Sequence, residues 1–238
     1  PVKARQAKIR PPQRQIACAS VPPMDARPFG LLAADPFGPR MAGPARRSLA
    51  IAQQLAAAGV LIEGWYDGDP PAAHPHITWH PFDLAALQAR AGSYAGILLP
   101  AQAALREQGV FDLPCPRVVD CTAPFPLETA ALLQGHPADE VRQVTKLQAW
   151  AMARAVSAGD YWLVSNDAQE AWLLGLLTLL GRVSPSLQAE WGSHDRVLWC
   201  PYGIFPLEAL PDPSPRIALL ERLGLLTTTP YLLWTGGL

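Results

Sequence analysis

Three short segments bring together residue types that could do chemistry. In Val118-Val119-Asp120-Cys121-Thr122-Ala123-Pro124-Phe125-Pro126-Leu127-Glu128, Asp120 closes an apolar run and Glu128 falls at the start of the next helical pattern. Two carboxylates at a strand's C-terminal end and the following helix start could orient hydroxyls or move protons. The same spacing fits a turn cap at Asp120 and a Glu128 that complements a helix dipole. The segment Met41-Ala42-Gly43-Pro44-Ala45-Arg46-Arg47 leads into a helix. Gly43 would let a ligand approach the backbone, while the helix N-terminus and the Arg47 guanidinium would suit a phosphate. A glycine turn with proline in the first helical turn explains it equally well. The third segment, Ser165-Asn166-Asp167-Ala168-Gln169, runs from a strand into a helix with Asn166 as N-cap, and its polar groups face the same sheet end as Asp120.

Other residues carry less. His74, His76 and His80 lie among prolines, so they read as loop or edge-strand residues, and no metal is expected. Cys18, Cys115, Cys121 and Cys200 lack CxxC spacing and histidine partners, which suits small buried residues in a reducing compartment. Neither GxGxxG nor a Walker A pattern occurs, which disfavours a nucleotide-dependent epimerase or dehydrogenase. The net charge of −1 argues against a dedicated nucleic-acid binder. It is unevenly spread: nine basic and two acidic residues lie up to Arg47, and ten basic and eighteen acidic ones follow. The N-terminus shows no apolar signal-peptide stretch, and the run Ala171–Leu180 is about half the ~20 residues a spanning helix needs. A cytoplasmic chain is expected.

The elements that must position these residues alternate. Gln15–Ala19 reads as the first strand, ending near Ser20, with a proline- and glycine-rich loop from Val21 to Pro44. Strands are then expected at Val60–Trp65, His76–Trp79, Tyr94–Leu99, Arg117–Asp120, Tyr161–Ser165, Val197–Cys200 and Tyr231–Trp234. Helices are expected at Arg46–Ala58, Asp83–Ala91, Ala101–Gln108, Leu127–Gln134, Ala138–Ser157, Asp167–Leu180 and Arg216–Leu223. In the longest, Val141, Val144, Leu147, Ala151 and Ala155 form one apolar stripe. Such alternation predicts an α/β fold with a Rossmann-like, doubly wound, mostly parallel sheet. A basic leader over 1–14, a main domain over 15–225 and the start of a further domain over 226–238 complete the expected organisation.

In order along the chain, these segments resemble bacterial glycosyltransferases of the GT-B fold, family-4-like group. Met41-Ala42-Gly43-Pro44 with Arg47 and the helix through Ala52 to Val60 resembles their AGPxxR-helix opening. Val118-Val119-Asp120 through Phe125 and Glu128 is similar to their VVDLYDPFxxE segment, although Ala123 replaces the second aspartate and Pro126 a common histidine. Asp160 to Arg182 resembles their SxxQxxFWLGxLxxLGR block, Val197 to Ile204 their xxVPFGI, and Leu233-Trp234-Thr235-Gly236-Gly237 their LWGGGI. The resemblance implies the acceptor-holding N-terminal half of a two-domain, metal-independent enzyme without a cofactor, truncated at the start of its donor domain and inactive alone. Such an enzyme passes a sugar from a nucleotide-sugar donor to a glycan, lipid-linked or other acceptor in cell-surface polysaccharide synthesis, with peripheral inner-membrane contact and no nucleic acid. It assigns catalysis to Asp120 and Glu128, donor phosphate to Gly43, Arg47, Gly236 and Gly237, and the acceptor side to Asn166 and Gln169. A non-catalytic scaffold derived from such an enzyme is the alternative, favoured by Ala123 and Pro126.

Overall fold

A computed structural model describes residues 27–39, 41–183, 196–202 and 222. Nearly all of them belong to the first of two compact units, Pro1–Pro201; of the second, Tyr202–Leu238, only Tyr202 and Arg222 are described. The expected strand Tyr231–Trp234, the glycines Gly236 and Gly237, and all but Arg222 of the expected helix Arg216–Leu223 lie outside the described residues.

The first unit alternates strand and helix: β1 (Phe29–Leu32), α1 (Gly43–Ala57), β2 (Ile62–Tyr66), β3 (Ile77–Pro81), α2 (Leu84–Ala91), β4 (Gly96–Pro100), β5 (Arg117–Asp120), α3 (Phe125–Leu132), α4 (Ala138–Ala158), β6 (Tyr161–Val164), α5 (Asp167–Leu179) and β7 (Val197–Trp199). The seven strands among the described residues are all parallel, in the order β3-β2-β1-β4-β5-β6-β7. This is the expected Rossmann-like α/β architecture.

Strand alternation divides the core between the two faces of the sheet. Leu31, Ile62, Leu98 and Leu163 point one way and pack with Ala52 and Ala56 of α1. Leu32, Trp65, Ile97, Leu99, Val119 and Trp162 point the other way, against buried residues of α2, α4 and α5 such as Leu87, Met152 and Leu173. Central β1 and β4 are buried on both faces, as parallel strands covered by helices must be. The polar tips in this core are satisfied: Trp65 Nε1 donates to Tyr94 Oη at 3.0 Å, and Tyr94 Oη donates to Glu63 Oε2 at 2.9 Å. Burial raises the Tyr94 pKa above its ordinary value.

Three expectations are corrected. Gln15–Ala19 lies outside the described residues, and the first described strand, Phe29–Leu32, sits inside the stretch read as a loop. Its run Phe29-Gly30-Leu31-Leu32-Ala33-Ala34 is continuously apolar, as a doubly covered strand should be, but prolines on either side disguise it. Gly30 is needed there, because a Cβ would stand 2.7 Å from the Tyr94 ring. The expected helix Ala101–Gln108 is instead two short 3-10 turns, Ala101–Leu105 and Gln108–Asp112. Glu107 between them is extended, and its carboxylate accepts from Gly109 N at 3.1 Å, which ends one turn and starts the other. The apolar stripe of α4 is only partly internal: Ala151 and Ala155 are fully buried, whereas Leu147 is 53% exposed.

Candidate functional site

The strand order locates the place to look. The chain winds from β1 through α1 to β2 on one side, then returns from β3 through α2 to β4 on the other side of β1. Open α/β sheets bind ligands at such a reversal, outside the carboxyl ends of the strands. Beyond the ends of β1 and β2, the described residues form an open depression of about 410 Å³, lined among others by Asp35, Phe37, Met41, Ala42 and Asp69.

The β1–α1 connection builds this depression. Phe37 bridges in parallel to Gly68, with Phe37 N donating to Asp67 O at 2.8 Å and Asp69 N to Phe37 O at 3.0 Å. Its ring stacks on Tyr66 and meets Trp79 edge-on, so the loop is anchored by an aromatic cluster. Asp35 lies three residues past the end of β1, and no hydrogen bond among the described residues engages its carboxylate. Partial burial raises its pKa, offset in part by Arg106, which is itself ion-paired to Asp67.

Helix α1 begins at the same edge. No side chain caps it, Pro44 has no N–H, and the first intrahelical bond runs from Arg46 N to Ala42 O at 3.1 Å. Gly43 N and Ala45 N therefore have no acceptor within the helix. Gly43 is exposed, has no positive φ, and a Cβ there would meet nothing within 4 Å. Neither conformation nor packing calls for glycine at this position. The two adjacent arginines diverge: Arg46 is exposed on the first turn, with Nε donating to Met41 O at 3.2 Å, whereas Arg47 is buried.

Arg47 reaches across the sheet edge. Its Nε donates to Asp120 Oδ2 at 2.7 Å and its guanidinium donates again to Cys200 O at 2.7 Å, with side-chain exposures of 5% for Arg47 and 13% for Asp120. Asp120 Oδ1 accepts from Thr122 N at 3.1 Å. Thr122 O accepts from Gln169 Nε2 at 2.7 Å, and Gln169 Oε1 accepts from Ser165 N at 2.7 Å. Ser165 Oγ donates to Cys200 O at 3.4 Å, which closes the ring. Asn166 caps α5 as expected, Oδ1 accepting from Gln169 N at 3.0 Å.

The sequence-predicted residues thus fall into three groups. Arg47, Asp120, Asn166 and Gln169 meet in one hydrogen-bonded lattice joining α1 to the ends of β5, β6 and β7. Both Asp120 oxygens are engaged within it. Gly43 lies at the start of the helix that carries Arg47. Glu128 stands apart, exposed on the first turn of α3. Sequence reasoning missed Asp35 and Arg46. Asp35 becomes visible once Phe29–Ala34 is read as a strand, because the next polar residue then marks its carboxyl end. For Arg46 and Arg47, the signal is the helical step of about 100°, which lets only one neighbour share the face of Ala45, Ser48, Ala52 and Ala56. No helix among the described residues is long and apolar enough to cross a membrane. No protein-family model matches the chain, and no curated protein matches it either.

Proposed function

We propose that this chain is the acceptor-side, N-terminal part of a glycosyltransferase that moves a hexosyl group from a nucleotide-sugar to a glycan or lipid-linked acceptor. The observation that carries the reading is Gly43, a glycine that neither backbone conformation nor packing calls for, at an uncapped helix start beside a depression at the sheet's topological reversal. A group that must approach that backbone closely accounts for it. The segments of the family resemblance support the same reading, because Arg47, Asp120, Ser165 and Cys200 are hydrogen-bonded together at this edge.

In the transfer, the bond from the anomeric carbon to the diphosphate oxygen breaks, and a bond from an acceptor hydroxyl oxygen forms. The departing diphosphate gains negative charge. The exposed N–H of Gly43 and the exposed Arg46 guanidinium would hold it, with no reorganisation at the moment of reaction. The Arg47–Asp120 pair positions α1 in this scheme. Asp35 would accept a hydrogen bond from an acceptor hydroxyl.

The test is transfer by the full-length polypeptide from a panel of labelled nucleotide-sugars to lipid-linked and glycan acceptors. Arg46→Ala should cut the rate by a factor on the order of a hundred, the usual cost of one charge-stabilising donor, without changing the unfolding midpoint. Gly43→Val should do likewise. No turnover with any donor would sink the enzyme reading. It would favour the alternative, a non-catalytic scaffold, which the mutual saturation of Arg47 and Asp120 supports.

A further inference from the structure

Helix α3, Phe125-Pro126-Leu127-Glu128-Thr129-Ala130-Ala131-Leu132, is mostly apolar apart from Glu128 and Thr129, yet only Phe125 is buried. A helix of that composition normally lies inside a core. It packs against α4, whose own first three turns are exposed on the side away from the sheet. Between them, α3 and α4 present Leu127, Leu132, Leu147 and Trp150 at exposures of 45–69%, four of the ten large apolar side chains left exposed among the described residues.

The charges of α4 say what covers this face. Asp139 and Glu140 occupy its first turn, and Arg142 and Lys146 follow one to two turns later. Asp139 also meets Arg142 within the helix at 3.9 Å, both side chains largely exposed, so Asp139 and Lys146 put opposite charges two turns apart on the outward side. An anionic membrane surface would be repelled by the acidic end, which Glu128 reinforces. A second α4 running antiparallel meets each end with its opposite. With a twofold axis between Arg142 and Gln143, Asp139 of each copy stands opposite Lys146 of the other, the self-complementary pattern that a twofold contact requires. Asp139, Gln143, Lys146 and Trp150 recur at steps of three and four, so they share the outward side. Trp and Arg are the side chains that most often anchor interfaces.

We infer that the α3–α4 face is a homodimer interface, occupied by the same face of a second copy of this chain. It stands independently of the reading of the sheet edge as a transferase site. Sedimentation velocity on the full chain should show a dimer that dissociates on dilution. Lys146→Glu and Asp139→Lys should each raise the dissociation constant by about tenfold or more, since like charges then face each other twice per dimer. The double variant Asp139→Lys/Lys146→Glu restores the pairing with the signs exchanged, and should return the constant to within about threefold of the parent. Trp150→Ala should weaken the dimer without shifting the unfolding midpoint of the monomer. A chain that stays monomeric at high concentration, binding to anionic vesicles in its place, or a double variant as weak as the singles would each overturn the inference.

Discussion

The guanidinium of Arg47 and the carboxylate of Asp120 face each other with little solvent between them, so neither can be removed singly without stranding the other. Breaking such a buried pair costs about 3–5 kcal/mol, much of it from the charge left behind. Urea titration should therefore show Arg47→Ala strongly destabilised, and Arg47→Ala/Asp120→Ala less so than the sum of the singles. A loss below about 0.5 kcal/mol for Arg47→Ala, the range of ordinary surface changes, would show that the pair is solvated. Asp35 gives the opposite case, a half-buried carboxylate whose pKa is raised by desolvation. The unfolded chain titrates it near the ordinary 3.8 and the folded chain at a higher pH. Between the two values the folded state holds more protons, so stability falls as pH rises through that window. Asp35→Asn should make the protein more stable at neutral pH, with the gain fading as the pH drops below the folded-state pKa. A pH-stability profile identical to that of the parent would mean that Asp35 is fully hydrated. If Asp35 also meets an acceptor hydroxyl, the same variant loses transfer while gaining stability.

Among the elements, β1 shows how local sequence and packing combine. Its four residues can sit between β2 and β4 only because Gly30 leaves room for Tyr94 and Ile97. Gly30→Ala should lower stability by about 1–3 kcal/mol, the usual cost of overpacking a filled core, measured as a shift in the urea midpoint. An unchanged midpoint would show that Tyr94 can swing aside. This strand was also the hardest to read. Its apolar run is short, and the prolines before and after it carry a stronger loop signal than four residues carry for a strand. By contrast, β5 and α5 were legible to within a residue, since Pro116 opens one and the Asn166 cap opens the other. The site was legible in its parts and not in its pairings. Asp120 and Arg47 each stand out in the sequence, but their contact spans 73 residues and depends on strand order, which local patterns do not encode. Leu147 illustrates the same limit: periodicity marks an apolar face without saying whether protein or solvent meets it.

For the whole molecule, strand order decides what lies near what. With β1 between β2 and β4, the sheet reverses its winding beside the segment that leads into α1, so the loop from Ala33 to Ala42 lies at the crevice. The Arg47 ring then ties that crevice to the far edge of the sheet, bonding to residues 73 and 153 positions further along the chain. Those separations bear on the order of events in folding. Contacts that close such long loops bring their reward only after the intervening strands have docked, so they form late. The ring should be nearly absent from the folding transition state, and Arg47→Ala should leave the refolding limb of a chevron plot almost unmoved while steepening the loss in native lifetime. A refolding rate that falls in step with stability would put the ring in the nucleus. If it is late to form, it is also first to open, and amide exchange at the start of α1 and at Cys200 should then speed up together, as one unit whose members are remote in sequence.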